Sequence, residues 1–176
     1  MKIGDRTLKD YSGQEPTVNE ASIYRSETNK YRIKIPKQWK LNRPNSIGVE
    51  FNAMHPMDIA SMNIAITTLD KPKNISAYDI PVNRMIEQLK ITQPSARLLK
   101  SEKLHLNNEE CLLIKYVFNY KTLDVDINII TYQYSVMRAN KAFTLTFQVQ
   151  EDFETEMNSV FEETLISFVF EDTLYK

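Results

Sequence analysis

The sequence is poor in the residues from which catalytic and cofactor sites are most often built. Its 176 residues include three glycines, two histidines and one cysteine. The glycines do not have the spacing of a phosphate-binding loop, which needs several glycines so that the backbone can approach the phosphate. The single cysteine, Cys111, excludes an intrachain disulfide, a thiolate zinc cluster and a C-x-x-C redox pair. We therefore expect no cofactor.

An excess of charge of one sign and long apolar runs are also missing. There are 22 Lys and Arg against 23 Asp and Glu, which gives a net charge of −1. Such a chain is not a general nucleic-acid binder, because that binding depends on many cationic contacts to phosphate. No apolar run approaches the roughly 18 residues of a membrane span. A hydrophobic content of 42% excludes a disordered chain, so we expect a globular domain.

The composition divides the chain at residue 21. Residues 1–21 show neither helical nor strand periodicity and predict a flexible N-terminal tail or tether, whereas residues 22–176 predict one domain. The start is polar and charged, unlike a signal peptide. A chain whose signal or lipobox had been removed before Met1 would look the same. We expect an extracytoplasmic or envelope-associated protein in that case and a cytoplasmic one otherwise.

Alternating apolar residues predict several strands, and two apolar stripes predict helices. In the first helix, Val82, Met85, Ile86 and Leu89 share one face. Asn107 and Asn108 predict a hairpin turn, since asparagine tolerates left-handed backbone. The second helix is expected to be capped by Asp152. Strands are expected at 31–35, 47–51, 62–68, 97–106, 110–120, 125–137 and 143–149, and helices at 82–89 and 153–165.

This order of elements predicts an α+β fold, with a mostly antiparallel sheet of about six to seven strands flanked by two main helices. Several segments resemble the PsbP-like family, which includes Mog-type and DcrB-type domains: the strand 31–36 followed by Trp39, the hairpin 106–116, the aromatic strand 143–149 and the terminal helix closing on 166–168. The resemblance implies an α/β/α sandwich without catalytic residues, used as a binding or accessory module. In that family, bacterial members are often secreted or lipid-anchored envelope proteins, and plant and cyanobacterial members attach to photosystem II. Others act as secretion-effector chaperones or bind the small GTPase Ran.

A basic segment is the strongest candidate for a binding surface. Residues 25–43 hold seven basic residues and one acidic residue. Such a stripe beside Trp39 could dock an anionic membrane surface, an acidic protein or a nucleic acid. The alternative is that these residues only form the solvated face of a strand, which is commonly basic. Residues 151–172 hold eight acidic and no basic residues, which could pair with the stripe within or between molecules. The predicted binding residues are Arg25, Arg32, Lys34, Lys37, Trp39, Lys40 and Arg43.

Two other clusters offer possible metal ligands. Met54, His55 and Met57 lie in or near one loop, and thioether and imidazole groups suit Cu(I), whereas the nearby Met62 is in phase with a strand and is expected in the core. Asp124 and Asp126 share a strand face and could hold a hard cation. Both clusters also have ordinary structural interpretations. The methionines could fill irregular gaps in the apolar core, and the two aspartates could form the solvated end of a strand.

The scarcity of proton-transfer groups favours binding over catalysis. No spacing rule brings His55 or His105 to Cys111 or another nucleophile, and Cys111 is expected to be a small core residue. The sequence therefore predicts a non-catalytic binding or accessory module of the bacterial envelope, with a protein or a membrane surface as its partner. The alternatives are a cytoplasmic chaperone or adaptor that shields a client on its sheet face and, as a third class, a small metal-dependent enzyme.

Overall fold

The structure, a computed structural model, describes residues 2–3, 6–8, 22–42, 44, 46–70 and 76–171. The predicted tail, residues 1–21, falls mostly outside this part of the chain and stays a prediction. The described residues of this segment form two short strands, Lys2–Ile3 and Arg6–Leu8, and the second strand pairs with residues 24–26.

Twelve strands and two α-helices make up the described chain. The strands are β1 Lys2–Ile3, β2 Arg6–Leu8, β3 Ser22–Ser26, β4 Tyr31–Ile35, β5 Lys40–Asn42, β6 Val49–Met54, β7 Ala60–Thr68, β8 Arg97–Leu106, β9 Glu109–Lys121, β10 Asp126–Arg138, β11 Lys141–Gln150 and β12 Val169–Phe170. The helices are α1 Val82–Thr92 and α2 Glu154–Ile166, and single 3-10 turns cover Ala77–Asp79 and Glu151–Phe153.

The strands form two sheets in which all neighbours are antiparallel. The larger sheet has seven strands in the order β5-β6-β7-β11-β10-β9-β8, and the smaller has five in the order β1-β2-β3-β4-β12. Four of the long strands follow one another as hairpins, because β8 to β11 are joined by tight turns. Asn107 and Asn108 have φ of 49° and 71°, so the predicted left-handed hairpin turn is confirmed.

The main core lies between the larger sheet, the smaller sheet and α2. Tyr31, Ile33 and Ile35 of β4 are fully buried there, as the alternation of the sequence predicts. Phe147 of β11 and Phe161 of α2 pack with ring centroids 5.0 Å apart, which fixes the helix on the sheet. The position of α2 beside β4 determines the candidate site described below.

A second core lies on the other face of the larger sheet, under α1. Ile86 is buried there, with Val82, Met85 and Leu89 packed around it against β9. The predicted apolar stripe is thus the buried face of α1. The α+β fold, with an antiparallel sheet covered by helices on both faces, is confirmed.

The structure corrects two local predictions. Ile47 does not start a strand: it is fully exposed at 106%, β6 begins at Val49, and the pairing with β7 shifts between Val49 and Phe51. This irregularity buries Glu50, which a strict alternation would expose. Asp152 does not cap α2, because it lies inside a 3-10 turn and the helix begins only at Glu154. Strands β3, β5 and β12 were absent from the predicted set.

Candidate functional site

A groove of about 610 Å³ runs between α2 and the end of β4, and it gathers residues from three segments of the chain. Lys34, Pro36 and Lys37 form one wall, and residues of α2 form the other. His55 closes one end from the β6–β7 loop. The full lining is Lys34, Ile35, Pro36, Lys37, Trp39, His55, Met157, Val160, Glu163, Thr164 and Ile166.

The backbone after β4 folds Trp39 under this groove. Gln38 has φ of 64°, and the Trp39 amide donates to the Pro36 carbonyl at 3.2 Å, which closes a tight turn. The Trp39 side chain is only 3% exposed, and its ring stands edge-on to Phe161, with centroids 6.4 Å apart. Trp39, one of the predicted binding residues, is thus a buried side chain that lines the groove.

His55 is held in place by its loop and by Trp39. Its backbone amide donates to the Ala60 carbonyl at 2.9 Å, and its Nδ1 accepts from the Met57 amide at 3.2 Å. Its ring lies edge-on to the Trp39 indole, with centroids 5.9 Å apart. The imidazole is thereby fixed at the groove, where it can offer a hydrogen bond to a bound group.

The groove combines an apolar interior with a charged rim. Lys34 and Lys37 are exposed, and no ion pair joins either ammonium group to a carboxylate of the described chain. Glu163 lies on the α2 wall. The Lys34 amide donates to Ser167 Oγ at 2.8 Å, which ties β4 to the end of α2 and fixes the width of the groove. Two cations without a partner in the described chain therefore border a preformed apolar channel.

The rest of the basic stripe is dispersed. Arg25 Nε lies 2.5 Å from Glu171 Oε1, so one predicted contact between the basic and acidic segments is made within the molecule. Arg32 is directly opposite Arg25 on the outer side of β4. Lys40 is exposed on the edge strand β5, and Arg43 lies outside the described residues. Of the seven predicted residues, the structure brings Lys34, Lys37 and Trp39 together at the groove.

The proposed metal ligands lie in different surroundings. Met57 is 65% exposed, whereas Met62 is 1% exposed and belongs to the core as predicted. Asp126 pairs with Lys121 Nζ at 2.9 Å, and this hydrogen bond holds the pKa of the Asp126 carboxyl below its usual range. Within the described residues, no three or more His, Cys, Asp and Glu side chains are grouped to hold a metal ion. Met54, His55, Met57, Asp124 and Asp126 stay predictions as ligands.

The candidate catalytic groups do not converge in the described chain. His55 lies in the loop that follows β6, near one edge of the larger sheet, and His105 lies on β8 at the other edge. Cys111 is fully buried, and this burial raises the pKa of its thiol to about 12. The thiol is therefore protonated near neutral pH and is a core residue, as expected.

The α2 wall of the groove was not predicted from the sequence. Met157, Val160, Thr164 and Ile166 line it, and Ile166 is 64% exposed. The sequence predicts the helix but not that one side of it borders a groove. The available signal was Ile166, which follows the buried Leu165 and cannot share its face.

Solved structures with the same arrangement of strands and helices are known. PsbP from the cyanobacterium Synechocystis matches with a TM-score of 0.66 at 17% identity, over 90% of this chain and 98% of that one. The Ran-binding protein Mog1p of Saccharomyces cerevisiae matches with a TM-score of 0.58 at 8% identity, over 88% of this chain and 97% of that one. The chain has a PsbP/Mog-like fold.

A third structure with the PsbP/Mog-like fold is LpqN, described as involved in cell envelope biogenesis of Mycobacterium tuberculosis. It matches with a TM-score of 0.51 at 9% identity, over 79% of this chain and 82% of that one. No family model and no curated protein sequence matches the chain. No helix among the described residues is long and apolar enough to cross a membrane. At these identities the comparisons establish the fold, and function must be argued from the groove.

Proposed function

We propose that this protein is a non-catalytic binding module of the bacterial envelope that holds a segment of a partner protein in the groove between β4 and α2. The observation that carries this proposal is that the groove has an apolar interior and two lysines at its rim, Lys34 and Lys37. Neither lysine has a carboxylate partner in the described chain. A partner segment with apolar side chains and at least one carboxylate would complement both features. Apolar anchors would supply affinity, and the carboxylate would set orientation.

The fold relatives agree with this role. Mog1p is named a Ran-binding protein, so a PsbP/Mog-like fold can serve protein recognition. LpqN is described as involved in cell envelope biogenesis, which supports the envelope part of the proposal. In this chain the fixed turn at Gln38 and the Lys34–Ser167 bond keep the groove open in advance, which lowers the entropic cost of binding.

A photo-crosslinking residue placed at Ile166 in the native organism tests the groove directly. Ile166 lines the groove and is exposed, so substitution there leaves the core intact. We expect a discrete protein adduct from position 166 and none from position 123, where Leu123 is fully exposed in the β9–β10 turn. The adduct should disappear with Lys34→Glu plus Lys37→Glu and persist with Lys40→Glu, which alters the stripe outside the groove.

Vesicle flotation distinguishes whether the groove binds a protein or a membrane surface. Phosphatidylglycerol vesicles that bind the wild type but not the Lys34→Glu, Lys37→Glu variant, together with no protein adduct at position 166, would contradict the proposed protein partner. Fractionation of cells that carry the native gene tests the location. Recovery of the protein only from the cytoplasm would overturn the envelope assignment.

A chaperone or adaptor that uses its sheet face is the second candidate. A shallow depression of about 430 Å³ lies at one end of the larger sheet, with Met54, Phe118, Tyr120, Ile127 and Ile129 among its lining. Apolar client segments could cover this surface. We expect Tyr120→Ser plus Ile127→Ser to abolish any protection of a heat-labile client enzyme from aggregation, and a wild type without such protection would remove this candidate.

A further inference from the structure

Strand β8 forms a long free edge of the larger sheet. Among the described strands it pairs with β9 alone, and its residues from Arg97 to Lys103 are all exposed. The opposite edge, β5, is only three residues long. An exposed edge strand presents unpaired N–H and C=O groups to another strand, so natural proteins shorten, bend or cover it, or place charged side chains on it. On β8 these charges are of both signs, at Lys100 and Glu102, so they can pair with a partner strand as well as repel one.

We propose that β8 pairs antiparallel with β8 of a second copy of this chain, about a two-fold axis at Ser101. Side chains alternate between the two faces of a strand, so Lys100 and Glu102 lie on one face and flank Ser101. Their charged groups are 2.5 Å apart within one chain. About this axis, Lys100 stands opposite Glu102 of the partner subunit, and Glu102 stands opposite Lys100 of the partner subunit. The interface is isologous and its four charges alternate in sign.

Symmetry and charge together select this register. Directly opposite residues in an antiparallel pair point to the same face of the sheet. A two-fold axis between two copies of β8 must therefore lie midway between one residue and its own copy in the partner subunit. Moving the axis to Lys100, Glu102 or Lys103 would set that residue against its own copy and oppose like charges, which is unfavourable for directly opposite cross-strand pairs. Of the positions 100 to 103, only Ser101 avoids such a pair and gives two opposite-charge pairs.

The surroundings of Ser101 leave room for a partner strand. A groove of about 480 Å³ opens beside it, lined by Pro81, Val82, Asn83, Arg84, Leu98 and Ser101. The pairing with β9 shifts between Leu98 and Lys100, so a bulge bends β8 at this end and limits the regular ladder to the residues around Ser101. The short ladder predicts a weak, concentration-dependent dimer.

Sedimentation equilibrium of the full chain tests the charge pattern. We expect Lys100→Glu and Glu102→Lys each to weaken dimerisation by about tenfold or more, because each places two like-charge pairs at the interface. Mixing these two variants should restore a dimer, since every pair across the axis again has opposite signs. A wild type that stays monomeric at millimolar concentration, or a mixture that associates no better than the separate variants, would overturn the proposal.

Disulfide trapping tests the register. Ser101→Cys places two thiols on the axis, within reach of a disulfide, and the native Cys111 is buried and does not compete. Lys103→Cys is the matched control, because its two copies would lie about 13 Å apart along the strands, too far for a disulfide. We expect mild oxidation to yield a covalent dimer from Ser101→Cys and monomer from Lys103→Cys. Equal trapping at both positions, or none at Ser101→Cys, would refute pairing about this axis.

Discussion

The imidazole of His55 stands edge-on to the indole of Trp39, with ring centroids 5.9 Å apart and an interplanar angle of 89°. This contact covers the only tryptophan of the chain where the groove meets the core. We expect His55→Ala to admit water to the indole, shift its emission to longer wavelength and lower the free energy of unfolding by about 1 kcal/mol. Fluorescence spectra and urea titrations measure both effects.

His105→Ala is the matched control for this change. His105 is exposed and makes a similar edge-on contact to Tyr78, with centroids 6.4 Å apart, on the far edge of the larger sheet. Its removal should leave the tryptophan emission unchanged. If His55→Ala also leaves the emission unchanged, the assigned contact between His55 and Trp39 is wrong.

Glu50 is a buried carboxylate that joins the two sheets. Its Oε2 accepts from the Tyr24 hydroxyl at 3.3 Å and from Ser26 Oγ at 3.2 Å. We expect Glu50→Ala to cost about 2 kcal/mol, because both buried hydroxyl groups lose this acceptor. Glu87→Ala, an exposed change on α1, should cost less than about 0.5 kcal/mol. Equal stability of the two variants in urea titrations would show that Glu50 does not join the sheets.

Glu50 also shows where prediction from the sequence fails. The long strands β8 to β11 and the buried face of α1 could be predicted, since a period of 2 or about 3.6 residues depends only on which side of an element is buried. The irregular pairing with β7 at Val49 and Phe51 breaks that period, so strict alternation assigns Glu50 to the wrong face. The groove could be predicted only in part, because Lys34 and Ile166 are 132 positions apart and meet through tertiary packing.

The half-buried cluster of Lys115, Tyr132 and Glu154 predicts an acid-sensitive contribution to stability. Lys115 Nζ lies 2.5 Å from Glu154 Oε1, which also accepts from the Tyr132 hydroxyl. Partial burial alone would raise the pKa of Glu154, but the hydrogen bonds from Lys115 and Tyr132 outweigh it and hold the pKa below its ordinary value. The stabilisation is therefore present above the pKa of the unfolded state, about 4.5, and is lost as the pH falls through the lower folded-state pKa.

Glu154→Gln removes this charge. At pH 7 the variant should be less stable than the wild type by about 1 kcal/mol, a value reduced by the partial exposure of the pair. The difference should shrink as the pH falls below about 4, because the wild-type carboxyl then becomes neutral as well. Urea titrations at several pH values measure this convergence, and a constant difference down to pH 2 would contradict the assigned ion pair.

Asn107 links the β8–β9 turn to the end of α2, where Ile166 lines the groove. Its Nδ2 donates to the Ile166 carbonyl at 3.0 Å and to the Phe168 carbonyl at 2.5 Å. We expect Asn107→Gly to cost about 1 to 2 kcal/mol through these lost bonds, since glycine keeps the left-handed backbone. Asn108→Gly keeps the same left-handed turn. In the described chain no side-chain hydrogen bond ties Asn108 to α2, so this variant should change the free energy of unfolding by less than about 0.5 kcal/mol. Urea titrations of both variants separate the side-chain bonds from the backbone conformation. Equal effects would mean that the turn alone, and not its bonds to α2, accounts for the asparagine at position 107.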